Sequence, residues 1–259
     1  MRLSLLQPNP QSLIPNPVET LSDIVRRVDE DRWLASRFAP ADVRQRLIAL
    51  YAVNYEIGRT AETVRAAPLG DIRLAWWRDG LDEIHAGNAP RAHPALEAYA
   101  AAHRTAPFLH APWSALIEAR GADLDLAPFE SLDAIIRYVD QTAGSLLQSA
   151  IAVCDVQFQA PAFVTSAARA WGLTGLLRAA PVWAARGRTL LPVGSSAEDL
   201  RIVARAAYAE AHEAARELPA RLFPAVGYVA LTPRYLRASP PSLIERQLRL
   251  IAASATGRL

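Results

Sequence analysis

Asp31-Arg32-Trp33-Leu34-Ala35-Ser36-Arg37-Phe38-Ala39-Pro40, followed after six residues by Leu47-Ile48-Ala49-Leu50-Tyr51-Ala52, is the stretch on which the fold is read. Ahead of it, Leu21, Ile24, Val25 and Val28 form one apolar stripe, and the run continues through Trp33 and Leu34. Apolar residues returning every three to four positions mark one face of a helix. Pro40 opens a second helix, predicted over 41–64, where its missing N–H would have no partner in any case. Val43, Leu47, Leu50, Tyr51 and Asn54 share a face of that helix.

Working outward, the same periodicity predicts helices over 69–86, 94–103, 112–119, 131–154, 159–185, 197–218 and 219–236, with a short terminal one through Ala253. Pro68 separates the second and third helices, and Gly87-Asn88 stops the third. Ser131 is the expected N-cap of the helix over 131–154, with Asp133 in its first turn, where negative charge suits the helix dipole. Gly172 and Gly175 interrupt the helix over 159–185 softly, and Pro181 is expected to end it. The segment 187–196, with Pro192 and Gly194, reads as a loop. No β-alternation and no repeat is found. The expected class is all-α: one helical domain over 20–259, preceded by a flexible segment over 1–19 that carries Pro8, Pro10, Pro15 and Pro17.

Composition excludes several functions. At 259 residues and 51% hydrophobic, the chain can bury a large core. Its 28 basic residues, every one arginine, nearly balance 26 acidic ones. That evenness argues against nucleic acid, which calls for a basic stripe. With no lysine, no Schiff base is available; the Ala-rich, Lys-free usage looks like GC-rich bacterial coding. Cys154, the single cysteine, makes no internal disulfide and reads as a buried, inert thiol. Neither a signal peptide nor an uninterrupted apolar run of spanning length is seen, so the expected location is cytoplasmic, with a peripheral position at the inner membrane left open.

Four stretches in order resemble the squalene/phytoene synthase family of head-to-head prenyltransferases. The opening stretch is the first. The second is Trp76-Trp77-Arg78-Asp79-Gly80-Leu81-Asp82-Glu83-Ile84, ending in Gly87. The third is Asp123-Leu124-Asp125, leading into Tyr138 and Thr142-Ala143-Gly144-Ser145. The fourth is Gly172-Leu173-Thr174-Gly175-Leu176-Leu177-Arg178, then Arg186-Gly187-Arg188-Thr189-Leu190-Leu191-Pro192. The resemblance implies an isoprenoid-synthase-type bundle of helices around a central apolar cavity. In active members, two aspartate-rich segments face each other across the cavity mouth and hold magnesium against the substrate diphosphates, which suits a hard cation.

Here the chain departs from the pattern. The first cluster should fall near Gly58, Arg59 and Glu62, and the sequence offers Glu56, Arg59 and Glu62. The second should fall at Ala179 and Trp183, a methyl group and an indole, and no Asp or Glu occurs between Phe163 and Ala197. By this reading the first motif is worn, the second is lost, and no metal site is expected. Arg178, Arg186 and Arg188 are the candidates for holding an anionic group, with Tyr51 and Asn54 beside them as ligand-binding candidates; each arginine could equally pair with acids on neighbouring helices. Asp79, Asp82 and Glu83 share a helix face and read as solvated rather than metal-ligating. Asp123, Asp125 and Arg120 read as a loop or capping cluster, and Asp29 and Asp31 as partners of Arg32 or Arg37. His85, His93, His103, His110 and His212 show no ligand spacing and read as surface or loop histidines. Trp76 and Trp77 point about 100° apart on a helix, so one is expected in the core and the other at an interface.

A branch of the family shares the Trp-Trp-Arg-Asp run and the worn motifs, and its mitochondrial members are assembly factors for respiratory complex I. That resemblance implies a non-catalytic binding or assembly role, with a protein partner or a prenyl or quinone-like lipid and no cofactor. The alternative is a divergent prenyltransferase that uses magnesium with Glu56, Glu62, Asp79 and Asp82.

Overall fold

In a computed structural model, which describes residues 20–237 and 239–259, the chain is helical throughout, and no strand occurs among the described residues. The expected segment over 1–19 lies outside them. The opening stretch and the stripe ahead of it fold as α1 (Leu21–Val28), α2 (Glu30–Ser36) and α3 (Ala41–Gly58). A capping box between Thr20 and Asp23 starts α1. Asp29 then breaks the run, closing α1 and capping α2 through its carboxylate. Pro40 is the N-cap of α3, one position ahead of the first helical residue. The helix predicted over 41–64 stops at Gly58, and a separate turn, α4 (Thr60–Thr63), follows after Arg59.

Helix α5 (Ala67–His85) takes Pro68 into its first turn. It ends where Gly87 adopts φ +85°, in the left-handed region open to glycine, so that the Asn88 N–H reaches back to the Glu83 carbonyl at 2.9 Å. Next come α6 (Pro94–Thr105) and α7 (Ala111–Arg120). The helix expected over 131–154 is divided into α8 (Leu132–Val139) and α9 (Ser145–Cys154) by a π-turn over Asp140–Gly144. Ser131 caps α8 as expected, its hydroxyl accepting from the Ala134 N–H. Helix α10 (Pro161–Ala185) does not end at Pro181. That proline sits in an exposed last stretch of the helix, and the chain turns only at Gly187, φ +79°.

Helix α11 (Ala197–Ala214) packs against α10. The long helix expected over 219–236 is instead a chain of short turns: Ala220–Leu222, α12 (Phe223–Val226), Gly227–Leu231 and α13 (Thr232–Tyr235). Pro224 and Pro233 restart the chain, and Gly227 lies so close to Phe223 that a Cβ there would stand 2.7 Å from its ring. The segment is buried on all sides, with Leu222, Ala225, Val229, Ala230 and Leu231 at 0% exposure, so it carries no one-faced stripe to read. The last helix is α14 (Leu243–Thr256).

The main core joins α1 to α3, α5 to α7, α9 and the buried 222–231 segment, with Tyr51, Trp77 and Tyr99 among its largest side chains. Trp77 enters this core, while Trp76 is partly buried with Arg91 over its ring. A second cluster, containing Ile135, Tyr138, Val139, Leu173 and Leu200, ties α8 to α10 and α11. The histidines correct the surface reading. His85 is half-buried between His103 and His110, at ring distances of 4.4 and 4.5 Å, and hydrogen-bonds the Tyr99 hydroxyl at 3.0 Å. Burial, and then the two neighbouring imidazoles, lower its pKa to about 4. His93 packs edge-on against Trp77. Cys154 is partly buried, its thiol pushed up to about 12 by burial.

Candidate functional site

Between α3, α7, the π-turn and α10 lies a pocket of about 290 Å³. Its apolar wall is made by Val139, Ala143, Leu146, Trp171, Leu176, Ala179, Trp183 and Leu190. Arg32, Asn54, Glu62, Arg120, Asp123, Tyr138 and Thr142 bring polar groups to it. Local structure explains how these meet. The π-turn shifts the register of the α8–α9 run, and Thr142 and Ala143 of that turn face the pocket. Helix α10 approaches the same turn at Gly172, where a Cβ would stand 2.5 Å from Val139 and 3.1 Å from Ala143. One turn on, Gly175 lines the pocket and has nothing within 4 Å of where its Cβ would be.

The charged wall is a buried network. Asp123, 8% exposed, accepts hydrogen bonds from Arg120 at 3.0 Å and from the Tyr138 hydroxyl at 2.9 Å. Arg188 stands 3.5 Å from its other side. That arginine, 2% exposed, also donates to the Ala122 carbonyl at 2.8 Å and stacks over Trp183 at 4.9 Å. Burial disfavours the Arg120 charge, but Tyr138 and Asp123 more than offset it, so the guanidinium is held above its ordinary range. Burial pushes the Tyr138 phenol well up and keeps it protonated as a donor. Arg32, also buried, pairs with Asp29 at 2.5 Å and lies over the rings of Tyr228 and Tyr51.

The residues singled out from the sequence divide into two groups. Asn54, Glu62, Ala179 and Trp183 meet at the pocket. Glu56 stands apart from its lining, 3.4 Å from Arg59 and 4.0 Å from Arg73. Tyr51 is buried within the core, its hydroxyl without a partner among the described residues. The three arginine candidates are each engaged with a protein acid. Arg178 lies over Tyr235 at 4.0 Å and 3.8 Å from Asp31, Arg186 is 3.6 Å from Glu62, and Arg188 is inside the Asp123 network. Asp79 and Glu83 pair with Arg91, and Asp82 with His110. Asp31 binds Arg246 at 2.8 Å and Tyr235 at 2.6 Å, which fastens α14 to α2.

Sequence reading missed Arg32, Thr142 and Trp171 as pocket residues, and took Asp123 with Arg120 as a loop cluster. Arg120 and Asp123 are a local pair three positions apart, but their place in the pocket wall was not readable, since Arg188 reaches Asp123 across 65 positions of chain.

The donor set does not fit a cage of several magnesium ions. The lining carboxylates are Glu62 and Asp123, and both Asp123 oxygens already take hydrogen bonds or an ion pair. Among the described residues no group of three or more His, Cys, Asp or Glu is arranged to hold a metal. Each hard cation needs several free oxygen ligands, and the pocket does not supply them. Among these residues also, no helix is long and apolar enough to cross a membrane.

The squalene/phytoene synthase family model matches residues 25–201. The chain is similar to NADH dehydrogenase (ubiquinone) complex I assembly factor 6 of Bos taurus, 27% identical over 173 residues, which is 66% of this chain and 51% of the relative. The Homo sapiens protein of that name is 25% identical over the same shares. The Drosophila melanogaster homolog is 26% identical over 165 residues, 61% of this chain and 49% of that one. The chain thus spans about half the length of the curated relatives it matches. Among solved structures, a dehydrosqualene synthase in complex with ligand superimposes with TM-score 0.70 at 16% identity, over 91% of this chain and 94% of that one. A squalene synthase from Alicyclobacillus acidocaldarius gives 0.67 at 16% identity, over 92% of each. These two likenesses establish the isoprenoid-synthase-type helical fold.

Proposed function

We propose that this chain, which belongs to the squalene/phytoene synthase family, is a non-catalytic member acting as a binding and assembly factor, with a protein of the respiratory complex I type as its partner. The observation that carries the reading is the pocket wall. Where the family resemblance calls for the second carboxylate cluster, Ala179 and Trp183 line the pocket, and the acid nearest the buried cations, Asp123, is spent on them. A reaction that releases diphosphate needs that charge neutralised as it departs, and Ala179 and Trp183 bring no oxygen ligand for the ions that would do it. The assembly role is supported by the relatives in three animals, all named as complex I assembly factor 6. In this reading the bundle is retained as a rigid body for binding, the chain is cytoplasmic and meets its partner at the inner membrane, and no cofactor is used. Fold alone does not decide between synthase and assembly factor.

The test is deletion of the gene, followed by native-gel measurement of assembled NADH:quinone oxidoreductase. The reading predicts a clear drop that re-expression restores; unchanged assembly would refute it. The second reading, a divergent prenyltransferase, is favoured by one observation: Glu62 lines the pocket at the position of the first motif. Purified protein given farnesyl or geranylgeranyl diphosphate with magnesium would then release pyrophosphate above background, which the non-catalytic reading forbids.

A further inference from the structure

We propose that two copies of this chain pair through α14, antiparallel about a two-fold axis, in a weak dimer whose core is an exposed apolar stripe of that helix.

The stripe is a second apolar face. Helix α14 is fastened inward by Leu250 and Ala253, both buried, and by Arg246, which binds Glu30 and Asp31 of α2. On the opposite side Ile244, Leu248, Ile251, Ala252 and Ala255 fall within about 100° of the helix circumference. Ile244, Leu248 and Ile251 are 68%, 62% and 56% exposed, and both alanines are exposed as well. No other helix among the described residues exposes more than two large apolar side chains. One apolar face is enough to dock a helix on its own core, so the second marks a surface that another body covers.

The pattern of the stripe selects a second copy as that body. Its large side chains occupy the first half of the helix and its alanines the second. Laid antiparallel, Leu248 of one copy faces Ala255 of the other and Ile251 faces Ala252, so large meets small at each level and in both directions. Laid parallel, alanine would meet alanine and leave a gap. The stripe contains no charged residue, so pairing it with itself buries no like charges. The antiparallel arrangement also brings the Glu245 end of each helix beside the Arg258 end of the other. Glu245 is half-exposed, 3.5 Å from its own Arg234, and Arg258 is exposed, so both can turn toward the second copy.

Area sets the strength. The 14 residues of α14 give a strip about 21 Å long and about 10 Å wide. A pair of such strips buries on the order of 1,000 Å², the lower edge of what a specific interface needs, which corresponds to a dimer in the micromolar range.

Sedimentation velocity of the whole chain from about 1 to about 200 µM spans that range. The wild type is expected to pass from monomer to dimer with no higher species, since a two-fold pairing closes on itself. Leu248→Glu is expected to weaken association by about a hundredfold or more, because each copy would bury an unpaired carboxylate. Its circular dichroism and melting temperature at low concentration are expected to be unchanged, since Leu248 is exposed in the monomer. The register is read by mixing Leu248→Cys with Ala255→Cys in air. A disulfide between the two variants is expected to form faster than one within either alone, where the like positions stand about 10 Å apart along the helix. Cys154, partly buried with its thiol pushed up to about 12, does not compete. A wild type that stays monomeric throughout, as it would if the stripe served a different protein, overturns the proposal. So does growth beyond the dimer, a dimer that Leu248→Glu leaves intact, or cysteine variants that each link to themselves as fast as to one another.

Discussion

Replacing Asp123 by alanine puts the buried network to a quantitative test. The carboxylate accepts from Arg120 at 3.0 Å and from Tyr138 at 2.9 Å, and it faces Arg188 at 3.5 Å. Without it, two guanidinium groups share one buried site with no anion between them. The Arg188 side chain is 2% exposed and that of Arg120 22%, so water reaches the second in part and the first hardly at all. Removing one partner of a buried pair costs about 3–5 kcal/mol, and the near-complete burial of Arg188 places this site within that range. For a chain of this length each kcal/mol moves the melting temperature by about 2–4 °C, so a fall of about 10 °C is expected. Urea unfolding followed by far-UV circular dichroism measures it, with an unchanged slope showing that stability alone has moved. Adding Arg188→Met removes the stranded charge, and the double variant is expected to recover about 1–3 kcal/mol of the loss. A loss below about 1 kcal/mol for Asp123→Ala, with no recovery in the double variant, would refute the argument that this network holds the pocket wall.

Four further outcomes are expected. Gly175→Ala has open space and should stabilise α10 by about 0.5–1 kcal/mol, whereas Gly172→Ala, whose Cβ meets Val139 at 2.5 Å, should destabilise; thermal melts of the two variants show opposite signs. His85 is held at about 4 against an ordinary 6.5, so between those values the folded state binds fewer protons than the unfolded chain and stability falls as pH falls. Urea midpoints at pH 7 and 4.5 measure that slope, and His85→Gln should flatten it. Arg246→Ala removes the contacts to Glu30 and Asp31 and should cost about 2–3 kcal/mol, with faster hydrogen exchange confined to α14 and α2. Cys154, at about 12, should resist iodoacetamide at pH 8 until the protein is unfolded, because the thiolate is the reacting species.

The opening stretch was enough to establish the helical class, since stripes at 21–28 and 43–54 record a face turned toward a core. The lack of Asp and Glu between Phe163 and Ala197 was equally legible, because it is a fact of composition within one segment. Boundaries set by local caps, Ser131 and Gly87, were readable for the same reason: the cap and the group it satisfies lie within a few residues. Where the chain is buried on every side, as over 222–231, periodicity vanished and a single long helix was wrongly expected. The π-turn also escaped notice, since one extra residue in a turn leaves the apolar pattern around it nearly intact.

Sequence by itself therefore determined the helical class, the inward faces of the striped helices and the lack of Asp or Glu between Phe163 and Ala197, all of which depend on neighbours along the chain. Tertiary structure alone decided what the remaining charges do. Arg188 became a wall residue because it meets Asp123 across 65 positions, and Arg178 became a partner of Asp31 and Tyr235 because α10, α2 and α13 converge there. Charge pairing acts through space and leaves no periodic trace, so only the folded chain places the arginines that read as ligand-binding candidates beside protein acids.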